Sequence, residues 1–109
     1  MDLNHDSRMI IDPQGIIRHY LNDVLHRVGG PAVIFPDGRH EYRINGVMHR
    51  MDGPATIHLY HLNGMTEYQP SWWIRGEHVT TKVNKWMQDR DVTWPWDETT
   101  QAEFLLTWT

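Results

Sequence analysis

Short apolar runs separated by turn-forming residues set the rhythm of this chain. The runs include Ile16-Ile17-Arg18-His19-Tyr20-Leu21, Ala32-Val33-Ile34-Phe35 and Thr56-Ile57-His58-Leu59-Tyr60. Turn residues fall at Gly15, Asp23, Gly30, Gly38, Gly46, Gly53, Gly64 and Gly76, with gaps of 8, 7, 8, 8, 7, 11 and 12. Helices of ordinary length do not fit between turns eight residues apart. β-branched and aromatic runs between Gly, Asn, Asp and Pro predict an antiparallel meander. Asn45-Gly46 and Asn63-Gly64 predict two-residue hairpins, because both turn positions require positive φ. Asn22-Asp23 is a weaker form of the same signal. Asp12-Pro13-Gln14-Gly15 and Pro36-Asp37-Gly38 predict Pro-initiated turns. Gly30-Pro31 and Gly53-Pro54 are expected to open new strands, where proline needs no ladder donor, with Gly53 at positive φ.

The pattern recurs. His26-Arg27-Val28-Gly29-Gly30-Pro31-Ala32 returns 23 residues later as His49-Arg50-Met51-Asp52-Gly53-Pro54-Ala55, with five of seven positions identical. At the same offset Ile11 matches Ile34, Pro13 matches Pro36, Gly15 matches Gly38 and Asn22 matches Asn45. A fixed period of this size predicts about three degenerate repeats, each burying its face only by pairing with neighbours. The third is stretched by an insertion placed around Gln69-Pro70-Ser71. The heptad itself reads as a strand–turn–strand device.

From Val79 the period becomes helical. Val79, Val83, Trp86 and Met87 share one face, predicting a helix over 81–90 with its N-cap at Thr80-Thr81. Pro95 stops continuation. Asp97 is the expected cap of a second helix over 98–106 that gathers Ala102, Leu105 and Leu106; a closing strand over 104–108 is the alternative. The fold class is therefore α+β, mainly β. It is a single domain over 1–109, with a meander at 10–78 and a helical cap at 79–109, and the start of residues 1–9 is expected to fray.

Composition narrows function mainly by exclusion. With no cysteine, disulfides and thiolate chemistry are absent. A net charge of −4, from 10 Lys plus Arg against 14 Asp plus Glu, lacks the basic face of a non-specific nucleic-acid binder. No apolar run approaches a membrane span, and the N-terminus lacks the regions of a signal peptide. A soluble intracellular protein is expected.

The eight His and six Trp supply the candidate sites. His26, His49 and His78 are the weak alternative for a metal site, although a 23-residue period does not itself make ligands converge. His58 and His61 lie at i and i+3, on opposite faces of a strand. The carboxylates Asp89/Asp91 and Asp97/Glu98 fall at helix ends, where capping accounts for them. In the structural account of the heptad, Arg50 or His49 bonds the Asp52 turn. No nucleophile elbow or phosphate loop is present, so no catalytic residue and no cofactor is assigned. Trp72-Trp73, Trp94 and Trp96 with Tyr68 are the candidate partner-binding aromatics, joined by His49 and Arg50. At least one of Trp72, Trp73, Trp94 and Trp96 is expected to be exposed as an interaction surface, together with Tyr60 or Tyr68.

The string from Asn45-Gly46 through His49-Arg50-Met51-Asp52-Gly53-Pro54-Ala55 resembles the N-G-x-x-H-R-x-D-G-P-A repeats of small tailed-bacteriophage proteins. Those are distantly similar to MORN repeats and to YwqK-type antitoxin repeats. The segment Trp96-Asp97-Glu98-Thr99 to Leu106 resembles the end of such phage proteins. The likeness covers about residues 10–108, and the first copy departs from it with Gly29 in place of Asp. It implies a phage protein made in the cytoplasm of the infected bacterial host. The expected activity is non-enzymatic: binding a host bacterial protein and inhibiting a defence system or host enzyme by occlusion. The alternatives are an antitoxin-like binder of a toxin and a His-dependent, metal-assisted hydrolase or nuclease. Neither nucleic acid nor membrane is an expected partner, and the sheet edges offer a route to a homo-oligomer.

Overall fold

A computed structural model describes residues 6–109; the start of the N-terminal segment expected to fray, residues 1–5, lies outside them. The strands are β1 Ser7–Ile11, β2 Ile17–Leu21, β3 Val24–Leu25, β4 Val33–Ile34, β5 His40–Glu41, β6 Arg43–Ile44, β7 Val47–Met48, β8 Thr56–Leu62, β9 Met65–Ser71, β10 Trp73–Ile74 and β11 Glu77–His78. Two helices follow, α1 Thr80–Arg90 and α2 Glu98–Trp108. The main sheet runs β1-β2-β4-β5-β8-β9 with β3 also on β2, while β6–β7 and β10–β11 form separate hairpins. Every pairing is antiparallel. The mainly β, antiparallel meander with two C-terminal helices is thus as the hydrophobic pattern predicts.

Four two-residue turns organise it. Asn22-Asp23, Asn45-Gly46, Asn63-Gly64 and Arg75-Gly76 all have positive φ at both positions. Gly, and after it Asn and Asp, adopt this most readily, which is why the first three are visible in the sequence and Arg75 is not. Gly46 N–H donates to Leu25 O at 2.8 Å and Gly76 N–H to Met48 O at 2.9 Å, so each turn also ties its hairpin to the preceding one.

The heptads are not strand–turn–strand units. Each is a looped excursion opposite a single residue. Tyr20 pairs with Leu25 and Arg18 with Val33, so residues 26–32 bulge out opposite His19 alone. His26 N–H donates to His19 O at 3.0 Å, and His19 N–H donates to Ala32 O at 2.8 Å. Tyr42 closes the second excursion in the same way, accepting from His49 N–H at 3.1 Å and donating to Ala55 O at 2.7 Å. Trp72 stands at the third such mouth, but there Val79 N–H closes it at 2.9 Å and α1 begins. The extra length that precedes Trp72 is spread over the β8–β9 hairpin. The tryptophans at 72 and 73 therefore lie beyond that extension rather than within it.

The helices bury one compact core: Trp72, Ile74, Val79, Val83, Trp86 and Phe104, with Met51, Met87, Val92, Trp94, Trp96 and Trp108 packed against it. Val83, Trp86 and Met87 face inward as expected. Two details of the cap differ from expectation. The N-cap of α1 is Val79, with no side-chain cap bond; Thr80 Oγ1 instead accepts from Trp72 N–H at 2.9 Å. In α2, Ala102, Leu105 and Leu106 are exposed while Phe104 is buried and Gln101 and Trp108 are half-buried. Aromatic volume decides the face, since Phe104 stacks on Trp108 at 4.5 Å and meets Trp86 edge-on at 5.5 Å. Residues 104–108 are helical, not a closing strand. Asp97 caps α2 as predicted, accepting from Thr100 N–H at 2.7 Å.

Candidate interaction site

The two His-Arg pairs are clasps. His26 Nδ1 accepts from Asn45 N–H at 2.9 Å, and His49 Nδ1 accepts from Arg75 N–H at 2.9 Å. Each imidazole thus satisfies a turn donor of the next hairpin. Burial pushes the His49 pKa down, and the Arg75 charge pushes it further in the same direction. His78 is engaged elsewhere, its ring stacked on Trp73 at 4.7 Å and its Nε2 2.7 Å from Thr80 Oγ1. His26, His49 and His78 each have a separate local partner. Among the described residues no group of three His, Asp or Glu side chains converges on a metal position.

The arginines fold back over their loops. Arg27 Nη1 donates to Pro31 O at 3.2 Å and Arg50 Nη1 to Pro54 O at 3.1 Å. Arg50 Nε also donates to Asp52 Oδ1 at 2.7 Å, and its guanidinium lies 4.0 Å from the Tyr42 ring centroid and 5.6 Å from that of Trp94. The guanidinium explains the loop glycines. A Cβ on Gly53 would come within 2.8 Å of Arg50 Cζ and 2.9 Å of Trp94 Cζ2; one on Gly30 would meet Arg27 Cζ at 2.9 Å. Gly53 is not in the left-handed region expected for it; Gly29 is, at φ +83°.

The aromatic candidates separate. Trp72 is 2% exposed and stacked with Trp96, so it is a core residue without a surface to offer. Trp73, Trp94 and Trp96 are half-buried. Trp94 Nε1–H donates to Asp52 O at 3.2 Å, and Gln101 Nε2 donates to Met51 O at 2.8 Å, fixing the cap to the second loop. His49 and Arg50 are also half-buried and occupied internally. Tyr68 is exposed, with its hydroxyl donating to Asp37 O at 3.2 Å.

Tyr68 belongs to a feature the sequence points to only by its late turns. β8 and β9 pair over seven residues each, from Thr56↔Ser71 to Leu62↔Met65, whereas β5 covers only His40↔Ile57 and Glu41↔Thr56. The outer part of this hairpin is therefore a two-stranded ribbon. Strand alternation puts Tyr60, Leu62 and Met65 on one face and Leu59 and Tyr68 on the other. Tyr60, Leu62, Met65 and Tyr68 are 53%, 65%, 64% and 56% exposed. Among the described residues β9 pairs only with β8, leaving its outer edge open. At the other end of the sheet β1 is also an edge, with Met9, Ile10 and Ile11 exposed.

The carboxylates sit in structural roles. Asp89 pairs with Lys85, Asp91 is the C-cap of α1, and the Thr100 hydrogen bonds lower the Asp97 pKa. Among the described residues no helix is long and apolar enough to cross a membrane. Compared with known proteins, the chain matches no family model, no curated protein and no solved structure.

Proposed function

We propose that this is a non-enzymatic binding protein whose β8–β9 ribbon engages a protein of a bacterial host. It inhibits that protein, a component of a defence system or a host enzyme, by occlusion. The observation that carries the reading is the ribbon: an extended hairpin with aromatic and aliphatic side chains on both faces and an open strand edge. An open edge adds main-chain hydrogen bonds to a partner strand, and flanking aromatic and aliphatic side chains supply the contact area. β9 carries Glu67 and Pro70, which guard its edge against indiscriminate pairing, so the exposed side chains of the ribbon set the choice of partner. The phage origin and the reading of the meander as degenerate repeats rest on the resemblance of the heptad and of the Trp96–Leu106 segment.

The test is affinity capture from bacterial lysate, followed by binding of the purified captured protein. Wild type is compared with the triple variant Tyr60→Ser, Leu62→Ser, Met65→Ser and with the control Leu106→Ser on the exposed side of α2. Binding lost in the triple variant and kept in the control supports the ribbon. Undiminished binding by a folded triple variant overturns it, as does failure to retain any protein across several hosts.

A further inference from the structure

The two excursion loops differ at Gly29 and Asp52, in backbone (Gly29 is left-handed and Asp52 is not) and in charge, and among the described residues the arginine of the first loop has no carboxylate partner. In the second loop Asp52 Oδ1 lies 2.7 Å from Arg50 Nε and neutralises that guanidinium. In the first loop Gly29 stands where Asp52 would be. Arg27 still donates through Nη1 to Pro31 O, but among the described residues no carboxylate comes within ion-pair distance of it. The space is open as well, since nothing lies within 4 Å of a Cβ built on Gly29. A hollow beside the loop is lined by Arg8, Met9, His19, His26, Arg27 and Val28. Its formal charges are Arg8, already paired with Asp6 and Asp23, and Arg27. His26 Nδ1 is occupied as an acceptor, so the neutral ring carries its proton on Nε2, a further donor. Burial and the Arg27 charge both lower the His19 pKa. On the other side of the loop, Asp52 lines a shared groove with Arg27 but is held by Arg50.

We infer that the first loop is a carboxylate receptor. Arg27 takes the side-chain carboxylate of an acidic segment of a partner protein, in the place that Asp52 fills internally in the second loop. Arginine forms strong charge-assisted bonds to carboxylates through adjacent N–H groups, and Val28, 79% exposed, offers an apolar contact beside it. The site lies on the first loop, away from the ribbon, and does not depend on the ribbon's role.

The test follows the arginine Nε–H signals by NMR during titration with three probes. These are a blocked Gly-Asp-Gly-Pro peptide, its Asn counterpart and acetate. The expected result is a saturable shift of the Arg27 signal with the Asp peptide, at lower concentration than with acetate and absent with the Asn peptide, while Arg50 stays still. Gly29→Asp should abolish the response by supplying the carboxylate from the chain itself. If that variant does not fold, Arg27→Gln is titrated with the Asp peptide by calorimetry, where the heat of binding seen with wild type should be lost. Asp52→Gly should confer the response on Arg50. Equal potency of acetate and peptide would assign the site to free carboxylates and overturn the protein-segment source. Equal shifts at Arg27 and Arg50, or no saturable shift at Arg27, would overturn the site.

Discussion

Gly53 and Gly29 show two different reasons for a glycine in the same kind of loop. Gly53 is required by contact, because a methyl group there meets both Arg50 and Trp94 at under 3.0 Å. Gly29 is favoured by its left-handed backbone, which glycine adopts at least cost, with open space around it. Gly53→Ala should cost about 1–3 kcal/mol through overpacking. A double-mutant cycle with Trp94→Ala, read by urea denaturation, should show coupling, because removing the indole removes part of the clash. Strict additivity would contradict this account. The histidines at this scale act through pH. His19, His40 and His49 all have pKa values lowered from 6.5, by burial first and by Arg27, Arg50 and Arg75 second. The unfolded chain then binds more protons than the folded one below the ordinary histidine value. Their stabilising neutral state is complete above about pH 6.5 and is lost as pH falls through the lowered folded values. The melting temperature should drop between pH 7.5 and 5, and less steeply in His49→Gln, which does not titrate. A melting temperature that stays flat or rises over that range would rule this out. The lowered carboxylates Asp12, Asp37 and Asp97 contribute only further down, below their ordinary value of 3.8.

Among the elements, the hairpins were legible and their lateral links were not. Asn-Gly pairs announce a turn through backbone chemistry confined to two residues, so the turns at 45–46 and 63–64 were readable. At Arg75-Gly76 the glycine marks the turn, but Arg75 takes its left-handed place with its N–H held by His49 Nδ1 across 26 residues of chain, a tertiary contact with no local signal. The buried face of α2 was misread for a similar reason. Leu105 and Leu106 look apolar in the sequence, but Trp86, Trp96 and Trp108 collect around Phe104 and decide which side is covered. The interaction site was partly legible. Tyr60 and Tyr68 are exposed, but none of the four tryptophans expected to supply an exposed aromatic is: Trp72 is spent on the core, and Trp73, Trp94 and Trp96 are half-buried. What marked the ribbon was length: Gly64 and Gly76 arrive late relative to the 23-residue spacing. A ribbon that packs against little should also carry little stability. Each of Tyr60→Ser, Leu62→Ser and Met65→Ser should change unfolding free energy by roughly 0.5 kcal/mol or less, the usual range for exposed positions. A large loss measured by chemical denaturation would mean that the ribbon tip is packed, and would remove it as a free surface.

At the level of the whole molecule, the shape is flat and open, with extents of 46 × 42 × 22 Å and a radius of gyration of 15.7 Å. A compact chain of this length would be near 13 Å. Apart from the residues that face the helices, the meander holds few buried apolar side chains of its own, chiefly Ala32, Val33, Pro54 and Ala55. The large buried groups sit between its last hairpin and the two helices. The cap is thus the main hydrophobic anchor, reached through the Trp94 and Gln101 bonds to the second loop. The sheet has no comparable reserve of its own. Phe104 is fully buried among three aromatic rings, so Phe104→Ala should cost about 3–5 kcal/mol. That is a large share of the roughly 5–15 kcal/mol available to a domain of this size. If the cap anchors the sheet, far-UV circular dichroism and tryptophan fluorescence should report one transition in urea, shifted to lower denaturant with its slope unchanged. The competing arrangement is a sheet that outlives its cap. It would give two transitions, with fluorescence lost first and the strand signal later. In that case the 7–78 meander would have to be regarded as an independent folding unit.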